Sequence, residues 1–213
     1  MGKTGKKILL LGGGGHCRSV YDSVLAMKEY DEIGIVLENG ASVSSPEVVG
    51  TDADLPALRE KGWGFAVVTV GSVGDVTIRR RLFHTAKQLG FLLPVIVDPT
   101  AVIASDARLG EGCYIAKRAV VNAGAGIGSC VIINTGAVIE HGCMVGDYAH
   151  ISSGAVLSGE VSIGEGAHIG AGSVVRQQIR VGDGTLIGIG SAVVKDIPDF
   201  VTAYGNPCRV MEK

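Results

Sequence analysis

Several familiar features are missing from this 213-residue chain, and each absence closes off a class of function. No apolar run approaches the ~20 residues that a membrane-spanning helix needs, although 46% of the residues are hydrophobic. A net charge of −2 leaves no basic surplus for a nucleic-acid partner. The five cysteines, Cys17, Cys113, Cys130, Cys143 and Cys208, are odd in number and form no CxxC pair, so neither a zinc knuckle nor a disulfide framework is expected. The basic start, Met1–Lys7, is followed only by Ile8–Leu11, too short an apolar stretch for a signal peptide. A cytoplasmic protein with no membrane or nucleic-acid partner is the expectation.

What the chain does have is a register. Every sixth residue from Val97 to Val193 is aliphatic, without one insertion. A small residue often sits two places earlier, as at Ala107, Cys113, Ala137, Cys143 and Ser191. Glycine often follows, as at Gly110, Gly128, Gly146 and Gly182. A period of six suits neither a helix nor an alternating strand. It marks a hexapeptide-repeat parallel β-helix, in which three hexads close a triangular coil and the aliphatic residue points inward. Glycine, and asparagine at Asn122 and Asn134, are expected to supply the left-handed backbone of the corners. The tail beyond Val194 leaves the register and reads as a cap.

The first ninety or so residues alternate differently. Lys7–Leu11 and Ile33–Leu37 read as strands around a helix from about Cys17 to Tyr30. A helix over Ala53–Lys61, a strand over Phe65–Val70 and a helix over Val76–Leu89 follow, with Arg79, Arg80 and Arg81 on its exposed side. A last strand is expected over Leu92–Val97. Strands and helices of these lengths predict a small Rossmann-like parallel sheet with helices on both faces. The expected domains are therefore 1–95, α/β, and 96–213, β-helix.

Two groups of residues offer chemistry. The turn Gly12-Gly13-Gly14-Gly15-His16 joins a strand to a helix N-terminus, where free N–H groups and the helix dipole favour a phosphate. It meets the dinucleotide fingerprint only in part, because Cys17 stands at the third glycine position; Glu38 lies near the place of a ribose-binding acid. His141 stands at the third place of its hexad, whereas His150 and His168 take the last place of theirs. Eighteen residues apart, His150 and His168 stack on one edge, and His141 falls on a different face. A trimer of triangular prisms would bring His141 into a neighbour's cleft. A neutral histidine near pH 7 suits a general base. His168 reads as a solvated edge residue.

The glycine turn, the segment Asn134–His141 running on through His150, and the closing Gly205-Asn206-Pro207 together resemble the sugar acetyltransferases that join a small nucleotide-binding α/β domain to a left-handed β-helix. That group includes sialic acid O-acetyltransferases and N-acetyltransferases of UDP- or GDP-linked amino sugars. The resemblance covers almost the whole chain. It implies His141 as general base, and His150 in contact with acetyl-CoA near its thioester. Backbone around Ala171 and Ile189 would line the pantetheine groove. Gly14, Gly15 and His16 would touch the nucleotide phosphates, Glu38 and Asn39 would lie near the base or ribose, and Gly71 would border the same pocket. Such proteins often carry an acid directly after the catalytic histidine; here Gly142 stands there, which leaves Glu140 or a neighbouring subunit to supply the carboxylate. The resemblance also implies a homotrimer.

The expected reaction is direct transfer of acetyl from acetyl-CoA to the amine of a nucleotide-linked sugar. O-acetylation of a sialic acid and a non-catalytic sugar-nucleotide-binding β-helix are the alternatives. A covalent route through Cys143 is disfavoured because the register buries its side chain. No metal is expected: separations of nine and eighteen residues among His141, His150 and His168 do not match the shared zinc set of γ-type carbonic anhydrases.

Overall fold

The computed structural model describes residues 5–38, 41 and 47–211. The chain opens as an α/β unit: β1 (Lys7–Leu11), α1 (Gly15–Met27), β2 (Glu32–Leu37), β3 (Val48–Thr51), a short turn of 3-10 helix (Asp52–Asp54), α2 (Leu55–Glu60), β4 (Phe65–Val68) and α3 (Thr77–Gln88). The four strands form one parallel sheet in the order β3-β2-β1-β4. The middle strand β1 is almost wholly buried, as its unbroken apolar run requires. α1 covers one sheet face through Cys17, Val20 and Val24. α2 and α3 cover the other through Leu55, Leu58, Leu82, Phe83 and Ala86.

From Ile96 to Val193 the strands are two residues long, and each pairs in parallel with a strand eighteen residues away, as Ile96↔Tyr114 and Met144↔Ser162 show. The strands stack into three faces of eight, six and five strands, the last two strands of the chain closing the eight-stranded one. The aliphatic residue of each hexad points inward: Ile115, Ile133, Ile139, Ile151, Leu157, Ile169 and Val193 are fully buried in one continuous core. The small residues before them, including Cys113, Cys143 and Ala155, are equally buried where the coil turns its corner. Each β-helix coil is thus held by its neighbours, the economy of a solenoid.

The corners differ from expectation in detail. Asn122 and Asn134 do not take the left-handed conformation; their side-chain oxygens accept the N–H of the next residue at 2.8 Å. The positive φ falls two residues later, at Gly124 and Gly136, and recurs every six residues through Gly112, Gly142 and Gly154. Arg118, Cys130, Tyr148, Glu160 and Gln178 occupy the same position with side chains. The glycines directly after the aliphatic residue serve another purpose. A Cβ on Gly128 would lie 2.3 Å from Asp147 Oδ1 and 2.7 Å from its backbone N, so the next coil leaves no room.

Other expected boundaries also move. α1 begins at Gly15 and ends at Met27, where Lys28 turns left-handed at φ 56°. β3, not expected, adds an edge strand. The anticipated strand over Leu92–Val97 divides. Leu92 makes an isolated bridge to Phe65, and Ile96–Val97 is the first strand of the β-helix. Arg79, expected on the exposed side of α3, is 1% exposed.

The α/β unit sits on the eight-stranded face. Tyr114, Ile132, Ile96 and Ala116 share one cluster with α1 and the sheet, and Cys130 and Tyr148 join the cluster of α3. Polar locks hold this junction. Ser23 donates to Asp98 Oδ2 at 2.6 Å, and Lys117 lies 3.5 Å from the same carboxylate. Burial works to raise the Asp98 pKa, but the hydrogen bonds from Ser23 and Thr100 and the Lys117 charge outweigh it and hold the carboxyl below its usual value.

Candidate active site

The turn after β1 is shaped by a glycine that nothing else could replace. Gly12 has φ 118°, and a Cβ there would stand 2.6 Å from Val70 Cγ2. Thr69 Oγ1 donates to the Gly12 carbonyl at 2.7 Å and fixes the turn. α1 then starts with Gly14 as its N-cap and no side-chain cap. Its first-turn N–H groups are therefore left for a ligand, and the dipole favours an anion.

Two clefts flank this helix start. The first, about 270 Å³, lies between the Gly12–Gly14 turn, Glu38, Asp52 and Arg81 over an apolar floor. The second, about 420 Å³, is bounded by Gly15, His16, Gly71 and Ser72 of the α/β unit and by Asn134 and His150 of the β-helix. The residues expected to touch one sugar nucleotide thus divide between adjoining clefts: Gly14 and Glu38 in one, Gly15, His16 and Gly71 in the other. Asn39 lies outside the described residues.

Behind the second cleft, three histidines gather around Arg79. The His150 ring meets His168 edge-on at 4.8 Å between centroids, as their paired strands require. His150 Nδ1 donates to the Ser72 carbonyl at 2.9 Å, which leaves Nε2 as the acceptor from Asn134 Nδ2 at 3.3 Å. His168 is 7% exposed rather than solvated, since the α/β unit covers this edge of the prism; its Nε2 meets Ser152 Oγ at 3.2 Å. Arg79 donates to Tyr148 O at 2.8 Å, Ser72 Oγ at 3.0 Å and Cys130 O. Burial draws the Arg79 pKa down, and the nearby polar groups offset only part of that. Burial, aided by the Arg79 charge, lowers His16 to about 4. His150 falls to about 3, through burial first and then the charges of His168, Arg79 and His16, with the Ser72 carbonyl opposing them. His168 is lowered by burial and by Arg79 as well. All three are neutral at pH 7.

His141 lives in a different setting. It is exposed, at the corner between the six- and five-stranded faces, with Val138–Ile139 before it and Met144–Val145 after it. Its ring lies against Gly159 of the next coil, where a Cβ would approach Cε1 and Nε2 to 2.6 Å. Glu140 Oε2 accepts Asn122 Nδ2 at 3.0 Å and the His141 backbone N–H at 3.3 Å, so this carboxylate is turned to the coil below and to the main chain. Cys143 is fully buried, donates to Ser158 O at 3.1 Å, and has its pKa raised by burial, as an unreactive thiol would.

Ala171 and Ile189, exposed, stand at the opposite corner, between the eight- and six-stranded faces, above Asn134. The structure therefore brings Gly15, His16, Gly71 and His150 together and aligns Ala171 and Ile189 along the same edge. It leaves His141 and Glu140 across the six-stranded face from them. Ser72, Arg79 and Arg81 also belong to this region; from the sequence, Arg79 and Arg81 were expected on the exposed side of a helix, and none of the three had a role at the site. No group of three His, Cys, Asp or Glu side chains suited to a metal occurs among the described residues. Among them, too, no helix is long and apolar enough to cross a membrane.

Known proteins share this fold. A family model for the PglD N-terminal domain matches residues 7–86. The acetyltransferase domain of PglB from Neisseria gonorrhoeae FA1090, solved with acetyl coenzyme A, is 38% identical, with a TM-score of 0.90 over 97% of this chain and 99% of that one. Perosamine N-acetyltransferase from Caulobacter crescentus is 35% identical, with a TM-score of 0.92 over 100% of both chains; it was solved as a histidine-to-asparagine variant with CoA and GDP-perosamine. WeeI from Acinetobacter baumannii AYE, 21% identical with a TM-score of 0.83, shares the fold. Among curated proteins no sequence match was found.

Proposed function

The chain belongs to the hexapeptide-repeat sugar N-acetyltransferases, acetyl-CoA-dependent enzymes, and from that premise we propose that it acetylates the amino group of a nucleoside-diphosphate-linked amino sugar. The observation that carries this reading is the second cleft. There the α/β unit, through Gly15, His16 and Gly71, meets the β-helix, through Asn134 and His150. A nucleotide held at the start of α1, with its base or ribose toward Glu38 and its phosphates over Gly14 and Gly15, presents its sugar at that junction. The protein works in the cytoplasm, where acetyl-CoA is made.

His141 acts as the general base. It takes a proton from the sugar amine as the nitrogen attacks the thioester carbonyl; the C–N bond forms, the C–S bond breaks and CoA leaves as its thiol after protonation. Backbone N–H groups of the corner are suited to hold the oxyanion. Acetyl-CoA runs along the edge marked by Ala171 and Ile189, with its thioester toward His150. Direct transfer needs no nucleophile from the enzyme, in keeping with the buried thiol of Cys143.

The two halves of this site lie at opposite edges of one face, so a neighbouring copy must close it. The outward residues of the six-stranded face are Val102, Val120, Val138, Val156, Val174 and Ala192. Val102 is 63% exposed and Val174 46%. An uninterrupted aliphatic ladder on a solvent face is what a second copy would cover. We assign it to a homotrimer in which His141 of one copy meets the cleft of the next.

The test is thiol release from acetyl-CoA with GDP- and UDP-linked 4-amino sugars, free sialic acid and CMP-sialic acid as acceptors. Turnover on a nucleotide-linked amine, lost in His141→Ala, supports the reading. Turnover on sialic acids alone, or full activity of His141→Ala, refutes it.

A further inference from the structure

A general base needs its second ring nitrogen held, so that one tautomer faces the substrate and the developing imidazolium is stabilised. His141 is an exposed imidazole whose ring has no hydrogen-bond partner among the described residues. The obvious carboxylate, Glu140, has turned away: Oε2 serves Asn122 and the main chain. The residue after His141 is Gly142 and offers nothing.

The coil above carries another carboxylate. The ring rests on Gly159, and the residue next to Gly159 is Glu160. Glu160 donates its backbone N–H to the His141 carbonyl at 2.8 Å, which ties the two residues across adjacent coils. Its side chain leans back toward the lower coil, so that a Cβ on Gly142 would lie only 3.2 Å from Glu160 Cγ. Glu160 therefore fills the space that a side chain at 142 would use. Gln178, one coil further up, donates Nε2–H to Glu160 Oε2 at 2.9 Å, which orients the carboxylate and leaves Oε1 for another donor. The backbone agrees with this arrangement. Gly142 and Glu160 share the left-handed corner position, at φ 67° and 60°, and the larger residue stands one coil above Gly142.

We propose that Glu160 is the positioning carboxylate of the reaction, accepting a hydrogen bond from one ring nitrogen of His141 while the other takes the amine proton. The inference rests on the reading of His141 as general base. It assigns to the coil above the carboxylate that was expected from Glu140 or from a neighbouring subunit.

Steady-state kinetics on the full-length protein test it with four variants. Glu160→Gln is expected to lower kcat roughly tenfold with the KM of both substrates unchanged, because the group acts on the base and not on binding. Glu140→Gln is expected to leave kcat within about twofold. The exchange Gly142→Glu with Glu160→Gly moves the carboxylate one coil down, into the same space and the same left-handed backbone, and is expected to recover most of the lost kcat. An inactive His141→Ala beside a Glu160→Gln with unaltered kcat overturns the proposal and leaves the base in place. So does a Glu160→Gln that changes only KM, which would make Glu160 a substrate contact. An active His141→Ala removes the base itself, a distinguishable failure.

Discussion

Lowering the pH should loosen the junction between the α/β unit and the β-helix well before ordinary carboxylates titrate. His16 and His150 are held at about 4 and about 3 in the folded protein, against an ordinary value of 6.5, by burial and by the Arg79 charge. Below pH 6.5 the unfolded chain takes up protons at these positions and the native protein does not. Stability is therefore complete above pH 6.5 and falls as pH drops toward the folded values. Each such group contributes a slope of up to about 1.4 kcal/mol per pH unit. Between pH 6.5 and 5 the two histidines together remove on the order of 2–4 kcal/mol, the lower figure allowing for their incomplete burial. His168 acts in the same direction. That is a large share of the ~5–15 kcal/mol typical of a folded domain. Carboxylates such as Asp98, held below their usual value, lose their contribution only at lower pH. Urea titrations at pH 7.5, 6.0 and 5.0 measure the slope, and His150→Asn should flatten it by roughly one proton's worth. A stability that does not change between pH 7.5 and 5, or an undiminished slope in His150→Asn, would refute the reasoning.

Three further outcomes follow from the same geometry. Arg79→Met leaves the carbonyls of Tyr148 and Cys130 buried without their donor and should cost about 3–5 kcal/mol, read as a fall in Tm of roughly 6–20 °C by differential scanning fluorimetry. Gly159→Ala places a methyl group 2.6 Å from the His141 ring; kcat should drop by about tenfold to a hundredfold with Tm nearly unchanged, and unaltered kcat would show that the ring's seat is unimportant. Val156→Asp puts a charge into the aliphatic ladder, and sedimentation velocity should then show a smaller species whose acetyl transfer is lost with its assembly; an active monomer would contradict the shared site.

The β-helix was legible because each two-residue strand sends one side chain inward and the spacing never slips. The α/β elements were legible from their apolar runs, with exceptions that have physical causes. β3 is four residues, Val-Val-Gly-Thr, half-exposed at the sheet edge with a register shift against β2, and carries little pattern. Leu92–Val97 read as one strand but contains Pro94, and the chain passes there from the α/β sheet to the first coil. Arg79 was readable and missed: with Leu82, Phe83 and Ala86 it lies at the spacing of one buried helical stripe. The burial of His168 was not readable, because the period of six makes all three faces alike and does not say which of them another unit will cover.

That last point bears on function, since the faces are told apart only by the residue just before each inward aliphatic. On the eight-stranded face these residues are Ile96, Tyr114, Ile132, His150, His168 and Leu186, mixed in chemistry, and the α/β unit packs on this face. On the five-stranded face they are Arg108, Gly126, Met144, Ser162 and Arg180, without an apolar run. Only the six-stranded face is aliphatic throughout. Its two bounding corners carry His141 on one side and Asn134, Ala171 and Ile189 on the other. On the proposed reading, a base and the groove it serves, set at opposite edges of this face, work together only when the face is covered by a copy that brings the other edge. Assembly and catalysis then depend on the same valines, and a substitution such as Val138→Asp, some distance from either substrate, is expected to abolish acetyl transfer by separating His141 from the cleft it completes.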